Sequence, residues 1–430
     1  MGDGGSFDWS QFLNVRRQEF YQSVKATLLT LETGTEVPVP LNESFTLGSS
    51  LVVGAKVSLM AETQLNIDCN IGTLFSIDDL ILSSCCEPSF FSSFLDDEKP
   101  RETLIHQFQG DLEHRFLDYS FLKEQDESLK KDLLTHQMPN SKSRLSQATL
   151  LSSISTQWAL LHEASHWLVG HCHIVKNHSI NESAHYLINF EALKNWQGIF
   201  SEEKKCMELQ ADGIAFELLF HSFLTKVCPD QTWKECSQVW KHDSIAVDMS
   251  TPESRIRALL VSSGCMVLLF EKMRSTSTLS EINDYPRPLT RLLNLFATAL
   301  RLVGTYSNVL SIKDDGRLVL SSDKYENNII PFKQLASGIT MAMHDLEILS
   351  DVLLINESIK KKSSSDYNEA CNLLSRGEVF LPDIASLMSG PAVSEKMAGE
   401  NKLAMEEYIH LLSFKESLDK KLEDFALMEF

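Results

Sequence analysis

Apolar and polar residues follow an amphipathic helical pattern over about residues 8–31, and the pattern then changes. From 33 to 83 (TGTEVPVPLNESFTLG onward to LNIDCNIGTLFSI), Val, Thr, Ile and Phe crowd between Gly, Pro and Asn, which predicts short strands joined by turns. Charge rises over 97–137, and PNSKS at 139–143 predicts a loop that sets the first expected boundary. From about 145 to 310 the pattern is mostly helical. Ser201 followed by Glu202 and Glu203 predicts an N-cap with acids in the first turn, where peptide dipoles favour negative charge, and a helix over about 202–224. Pro252 after Thr251 fits a first helical position, and DYPRP at 284–288 reads as a turn opening the helix LTRLLNLFATAL. VLSIKDDGRLVLS (309–321) alternates around Asp-Gly and predicts a hairpin. The stretch 335–430 reads as mainly helical, with a Ser/Lys loop, KKKSSSD, at 360–366. The expected fold class is α+β and predominantly helical. It comprises an N-terminal α/β region (1–143), a helical core (144–310), and a hairpin plus helical extension (311–430).

Composition narrows the function. A chain of 430 residues with 43% hydrophobic content can bury one large core or two to three smaller ones. Its net charge of −20 opposes a phosphate backbone, and no Lys/Arg stripe interleaves with aromatics, so nucleic acid is not an expected partner. The start, MGDGGSFDWSQFL, lacks the basic-then-apolar order of a secretory signal. Apolar runs such as GCMVLLF (264–270) and LLNLFATALRLVG (292–304) are too short or too interrupted to span a bilayer, so no membrane segment is expected. The nine cysteines are scattered, odd in number and include adjacent Cys85 and Cys86, a usage expected of reduced thiols in the cytoplasm.

The chemistry-bearing stretch is STQWALLHEASHWLVGHCH (155–173). On a helix, His162 and His166 lie one turn apart on one face and can aim two imidazoles at one metal ion. Glu163 sits beside that point, where its carboxylate can take a proton from water acidified by zinc. The five-letter pattern alone also arises in ordinary helices. A second pair alters its weight: Glu208 and Asp212, again four apart, lie in an otherwise apolar helical pattern, EEKKCMELQADGIAFELLF (202–220). Buried carboxylates need cations or donors, and Glu208 as a zinc ligand with Asp212 hydrogen-bonded to a ligand histidine satisfies both. The competing reading pairs both acids with lysines or water.

His162-Glu163-x-x-His166 followed by Glu208-Leu-Gln-Ala-Asp212 resembles the gluzincin metallopeptidases, whose third ligand lies in an ExxxD helix. Within them it is similar to the soluble Lit-type phage-exclusion peptidases, and more distantly to the CAAX-processing and heat-shock membrane proteases. The likeness is good over about 160–220 and weak toward 310. It implies a zincin-like core, with His162, His166 and Glu208 as ligands of Zn2+, Glu163 as general base and Asp212 behind a ligand histidine. It also implies cleavage of peptide bonds in selected protein substrates, in a defence or stress response.

The resembled families often carry a downstream His-Pro segment followed by Arg; here STPESRIRAL (250–259) and DYPRPLTRLL (284–293) have no such histidine. Tyr285 as oxyanion donor with Arg291 as electrostatic support is the preferred assignment, and Arg255 is the alternative. His171 and His173 follow the expected helix end at Gly170, which suits a capping cation, with a fourth ligand or donor as the second option. Two function classes stand beside the endopeptidase. One is a metallopeptidase-like zinc sensor or scaffold that recognises a protein partner without turnover; an intact Glu163 counts against it. The other is a zinc hydrolase of a small amide or ester, for which a closed pocket would speak.

Overall fold

A computed structural model describes residues 9–34, 45–50, 53, 55–61, 64–87, 89–91, 142–172, 174, 201–222, 251–276, 285–306, 310–312, 318–320, 325–353, 378–379 and 395–423. The first helix, α1 (Trp9–Gly34), buries Phe20, Val24, Thr27 and Leu31 along one face, so its apolar stripe serves as a contact surface. A three-stranded sheet follows: β1 (Phe45–Gly48), β2 (Ala55–Ala61) and β3 (Gln64–Asn70). Its order is β1-β3-β2, with β1 parallel and β2 antiparallel to the central β3. Ile67 pairs with both Phe45 and Val57, and all three are buried, so one face of the sheet lies on the core. The register slips between Leu59 and Ala61, and β2 occupies the edge.

Residues 71–83, expected to lie in the strand-rich region, belong instead to a helix, α2 (Ile71–Cys85). Their β-branched and aromatic content misled the reading. Ile71, Leu74, Phe75, Leu80 and Ile81 sit at helical spacing, and burial on most sides overrides a weak β preference. Asn70 leads in with extended backbone, φ −74° and ψ 143°.

The other expected helices form: α3 (Lys142–Leu168), α4 (Ser201–Phe220), α5 (Pro252–Thr276) and α6 (Pro288–Tyr306). Thr251 caps α5 by accepting the Ser254 N–H at its Oγ1, 3.1 Å away. The hairpin forms as well, with β4 (Leu310–Ile312) antiparallel to β5 (Leu318–Leu320) and a short β6 (Glu378–Val379) on the other side of β5. Two long helices complete the described chain, α7 (Tyr325–Val352) and α8 (Glu395–Leu422). The charged stretch at 97–137, the hairpin turn at 313–317 and the Ser/Lys loop at 360–366 lie outside the described residues. Among the described residues the fold is thus predominantly helical, with two small sheets.

Helix α3 is the spine: it packs on α1, α2, α4, α5 and the first sheet. Serines let it approach α5 closely. Ser155 Oγ donates to the Ser262 carbonyl at 3.0 Å, and Ser262 Oγ donates back to the Leu151 carbonyl at 3.1 Å. Apolar packing is continuous from Phe20 through Trp158, Leu259 and Phe296 to Ile339 and Ala404, so all three expected regions contribute to one core. A second, smaller cluster joins Ile174, Cys206, Met207 and Leu209 to Tyr408, Leu411, Leu418 and Leu422 beneath α8. Among the described residues, no helix is long and apolar enough to cross a membrane.

Candidate metal centre

The centre lies where α3 crosses α4, two helices in contact over much of their lengths. Apolar residues flanking the polar ones force this crossing: Leu160, Leu161, Ala164 and Ala211, Ala215, Phe216 are buried to 5% exposure or less. Burial of these side chains, roughly 1.5–3 kcal/mol for each of the large ones, supplies the free energy that holds four polar groups out of water. His162, His166, Glu208 and Asp212 are all buried.

His162 and His166 bring their Nε2 atoms to 3.3 Å. Glu208 divides its oxygens between them, Oε2 at 3.4 Å from His162 and Oε1 at 3.6 Å from His166. One ligand atom from each of the three residues lies within 4.8 Å of the others. Two nitrogens each about 2.0–2.1 Å from a tetrahedral ion stand roughly 3.3–3.4 Å apart, so the imidazole pair has the separation such an ion requires. Three groups that offer lone pairs thus converge in the interior and could together hold a metal ion. Without metal, a proton on His162 and the nearby Arg291 offset the carboxylate. Burial opposes charge on His162, but Asp212 and Glu208 outweigh it and raise His162 to about 10. Burial instead holds His166 well below its ordinary value, so it is neutral. Burial also works against Glu208, yet His162, His166 and Arg291 bring it down to about 2. Two imidazoles and a carboxylate suit a first-row divalent ion better than calcium or magnesium.

Behind the ligands stands a support layer. His162 Nδ1 lies 3.0 Å from Asp212 Oδ1, although its alignment falls short of a regular hydrogen bond. Asp212 in turn accepts a two-pronged pair from Arg291, Nε at 2.7 Å and Nη2 at 2.6 Å. Arg291 also lies 3.8 Å from Glu208 Oε2 and stacks 4.8 Å from the centre of the Phe270 ring. The guanidinium that the sequence offered for an oxyanion thus reaches the site but is held on Asp212. Tyr285, half-buried, stands close enough to Arg291 to act on its charge. Trp158, one turn before His162, stacks on that imidazole with ring centres 5.3 Å apart.

Glu163 is buried beside the cluster, and its Oε2 has no protein partner. Burial raises its carboxyl to about 7, while His162 and the Val57 N–H of edge strand β2 support the charged form. It lines a cavity of about 30 Å³ with Val53, Thr73, Trp158, Met266 and Phe270, room for one water. The nearby Cys69 and Cys172 are pushed up to about 12 by burial and stay thiols in the metal-free chain, and neither belongs to the group that could hold an ion.

His171 departs from the capping role expected of it. Gly170, at φ 81°, ends α3 in the left-handed conformation open to glycine. The turn folds His171 back until its Nδ1 is 2.9 Å from His166 Nδ1. Burial lowers His171 to about 4, so it brings no charge to the helix end. Its Nε2 contacts Gln210 Oε1 at 2.9 Å, and Gln210 Nε2 donates to Asp419 Oδ1 at 3.2 Å. The sequence carried no signal for this chain: its members are separated by 39 and 209 residues, and a glutamine inside ELQAD looks like any helix surface residue. His173, His178 and His185 lie outside the described residues. Compared with protein-family models, with curated proteins and with solved structures, the chain matches none.

Proposed function

We propose that the chain is a zinc-dependent endopeptidase with a zincin-like core of the gluzincin type, acting in the cytoplasm on a peptide bond of a selected protein. The observation that carries the reading is the convergence of His162, His166 and Glu208 with Glu163, whose Oε2 is unpartnered, beside them. A purely structural ion has no use for such a carboxylate. His162, His166 and Glu208 would hold the ion, which supplies Lewis acidity when bound. Glu163 accepts a proton from the attacking water, the hydroxyl adds to the carbonyl carbon, and Glu163 passes the proton to the departing amine. Asp212, anchored by Arg291, keeps His162 oriented, and Tyr285 is the proposed donor to the oxyanion. Strand β2 lies at the sheet edge, packs on α3 and puts its Val57 N–H by Glu163, so an extended peptide can add to it as a further strand.

The test compares wild type with Glu163→Gln. The variant should keep one zinc per chain by mass spectrometry and lose at least about a thousandfold in kcat, an effect on the order expected for removing a general base. In the same assay, Tyr285→Phe should lower kcat and leave KM nearly unchanged. Substrates are found by comparing new protein N-termini in cells expressing each form. If wild-type cells gained no termini over Glu163→Gln cells, a zinc-binding sensor or scaffold would replace the enzyme.

A further inference from the structure

We propose that the C-terminal helix α8 fixes the position of the proton on His166, acting through Asp419, Gln210 and His171, and so keeps Nε2 bare for a metal ion. Only the role in metal binding rests on the proposed function; the proton's position is decided by the protein alone.

Which atoms can donate decides where the proton sits. Asp419 as a carboxylate only accepts, so the Gln210 group facing it at 3.2 Å is the amide NH2. The amide oxygen of Gln210 therefore faces His171 at 2.9 Å, and His171 Nε2 must carry the hydrogen that lies between them. His171 is fully buried and its two ring nitrogens face only Gln210 and His166, so it is a neutral imidazole with one N–H, and its Nδ1 is left as an acceptor. The contact of 2.9 Å to His166 Nδ1 is then a hydrogen bond donated by His166. With its proton on Nδ1, His166 presents a lone pair at Nε2 toward His162 and Glu208. Every link is fixed by the one before it, and the first is Asp419.

Asp419 is well placed to start the chain. Its second oxygen accepts from Lys415 Nζ at 3.1 Å on the same helix, which leaves Oδ1 to Gln210. Helix α8 is held on α4 by independent contacts: Lys205 pairs with Glu407 at 2.7 Å, Cys206 Sγ donates to the Leu411 carbonyl at 3.2 Å, and Lys421 pairs with Glu203. Tyr408, Leu411, Leu418 and Leu422 fill the small apolar cluster beneath it. The docked helix thus delivers one partly exposed carboxylate to the end of a buried chain. Asp419 is a positioning residue, removed from the reacting atoms by three side chains.

Reversing the polarity tests this. In Asp419→Lys a donor faces Gln210, the amide turns over, His171 takes its proton on Nδ1, and His166 is left with the proton on Nε2. Zinc affinity should fall about 10–100-fold, the range typical for loss of a partner behind a metal ligand. Adding Gln210→Glu restores an acceptor toward His171 and an ion pair toward Lys at 419, so the double variant should return to within about threefold of wild type. Affinity is read by competition with a chromophoric chelator. In parallel, 15N shifts of the metal-free full chain report which nitrogen of His166 is protonated, Nδ1 in wild type and the double variant, Nε2 in Asp419→Lys. Circular dichroism checks that each variant is folded. Should the Asp419→Lys shifts match wild type, or the double variant fail to restore them in a folded protein, the proposal is overturned. If wild type binds no zinc, the metal reading fails, and the 15N shifts still decide the proton's position.

Discussion

A carboxylic acid buried beside imidazoles faces two opposing pulls, and Glu163 and Glu208 resolve them in opposite directions. Glu163 has its folded value raised from 4.5 to about 7, mainly by burial. The folded chain keeps this proton through the window in which the unfolded chain loses it, so stability from this group is complete below 4.5 and falls as pH rises toward 7. Glu208, lowered to about 2, works the other way: its contribution is complete above 4.5 and disappears as pH falls toward 2. Metal-free Glu163→Gln should therefore melt higher than metal-free wild type at pH 8, by about 1–3 kcal/mol, with the difference closing by pH 5. Thermal denaturation in chelator at the two pH values checks this; a constant difference would show that Glu163 is not buried as a charge. At this scale the sequence was informative about which residues meet, because two histidines and two carboxylates at four-residue spacing share helix faces. It was silent on Trp158, Gln210 and Asp419, which act by tertiary placement and have no local signature.

Between elements, glycine decides how closely helices pack. Gly338 of α7 lies against α5 so tightly that an added Cβ would meet the Glu253 carbonyl oxygen at 2.4 Å. At Gly264 of α5 the same test meets Leu346 Cδ2, also at 2.4 Å. The first obstacle is backbone and the second the end of a flexible side chain. Gly338→Ala should accordingly cost about 1–3 kcal/mol by urea denaturation, and Gly264→Ala less, because Leu346 can change rotamer. Equal losses would mean that α7 shifts as freely as a leucine turns. Most helices were legible because their apolar spacing and start signals agree, as at Pro252 and Pro288. Helix α2 was not: its residues favour strands in isolation, and only packing against α3, α5 and α7 selects the helix.

Across the whole molecule, His162, His166 and Glu208 come from helices of one continuous core, so an ion held by them would couple binding to folding. Zinc in hundredfold excess over its Kd should stabilise the chain by about 2.7 kcal/mol, seen as a higher Tm that chelator reverses. His162→Ala should lose the response, and a Tm indifferent to zinc in wild type would contradict the site. The three regions expected from composition share that core, which local pattern could not reveal, since Phe20, Trp158 and Ile339 meet only in space.

The Arg291–Asp212 pair has a further consequence when all the charges of the site are taken together. Without metal, protonated His162 and Arg291 balance Glu208 and Asp212, and Glu163, raised to about 7, is neutral below that pH. A divalent ion held by His162, His166 and Glu208 would displace the proton of His162 and draw off that of Glu163, leaving the interior again electroneutral. Uptake would then exchange one ion for as many as two protons, and affinity should rise with pH toward neutrality and fall in mild acid.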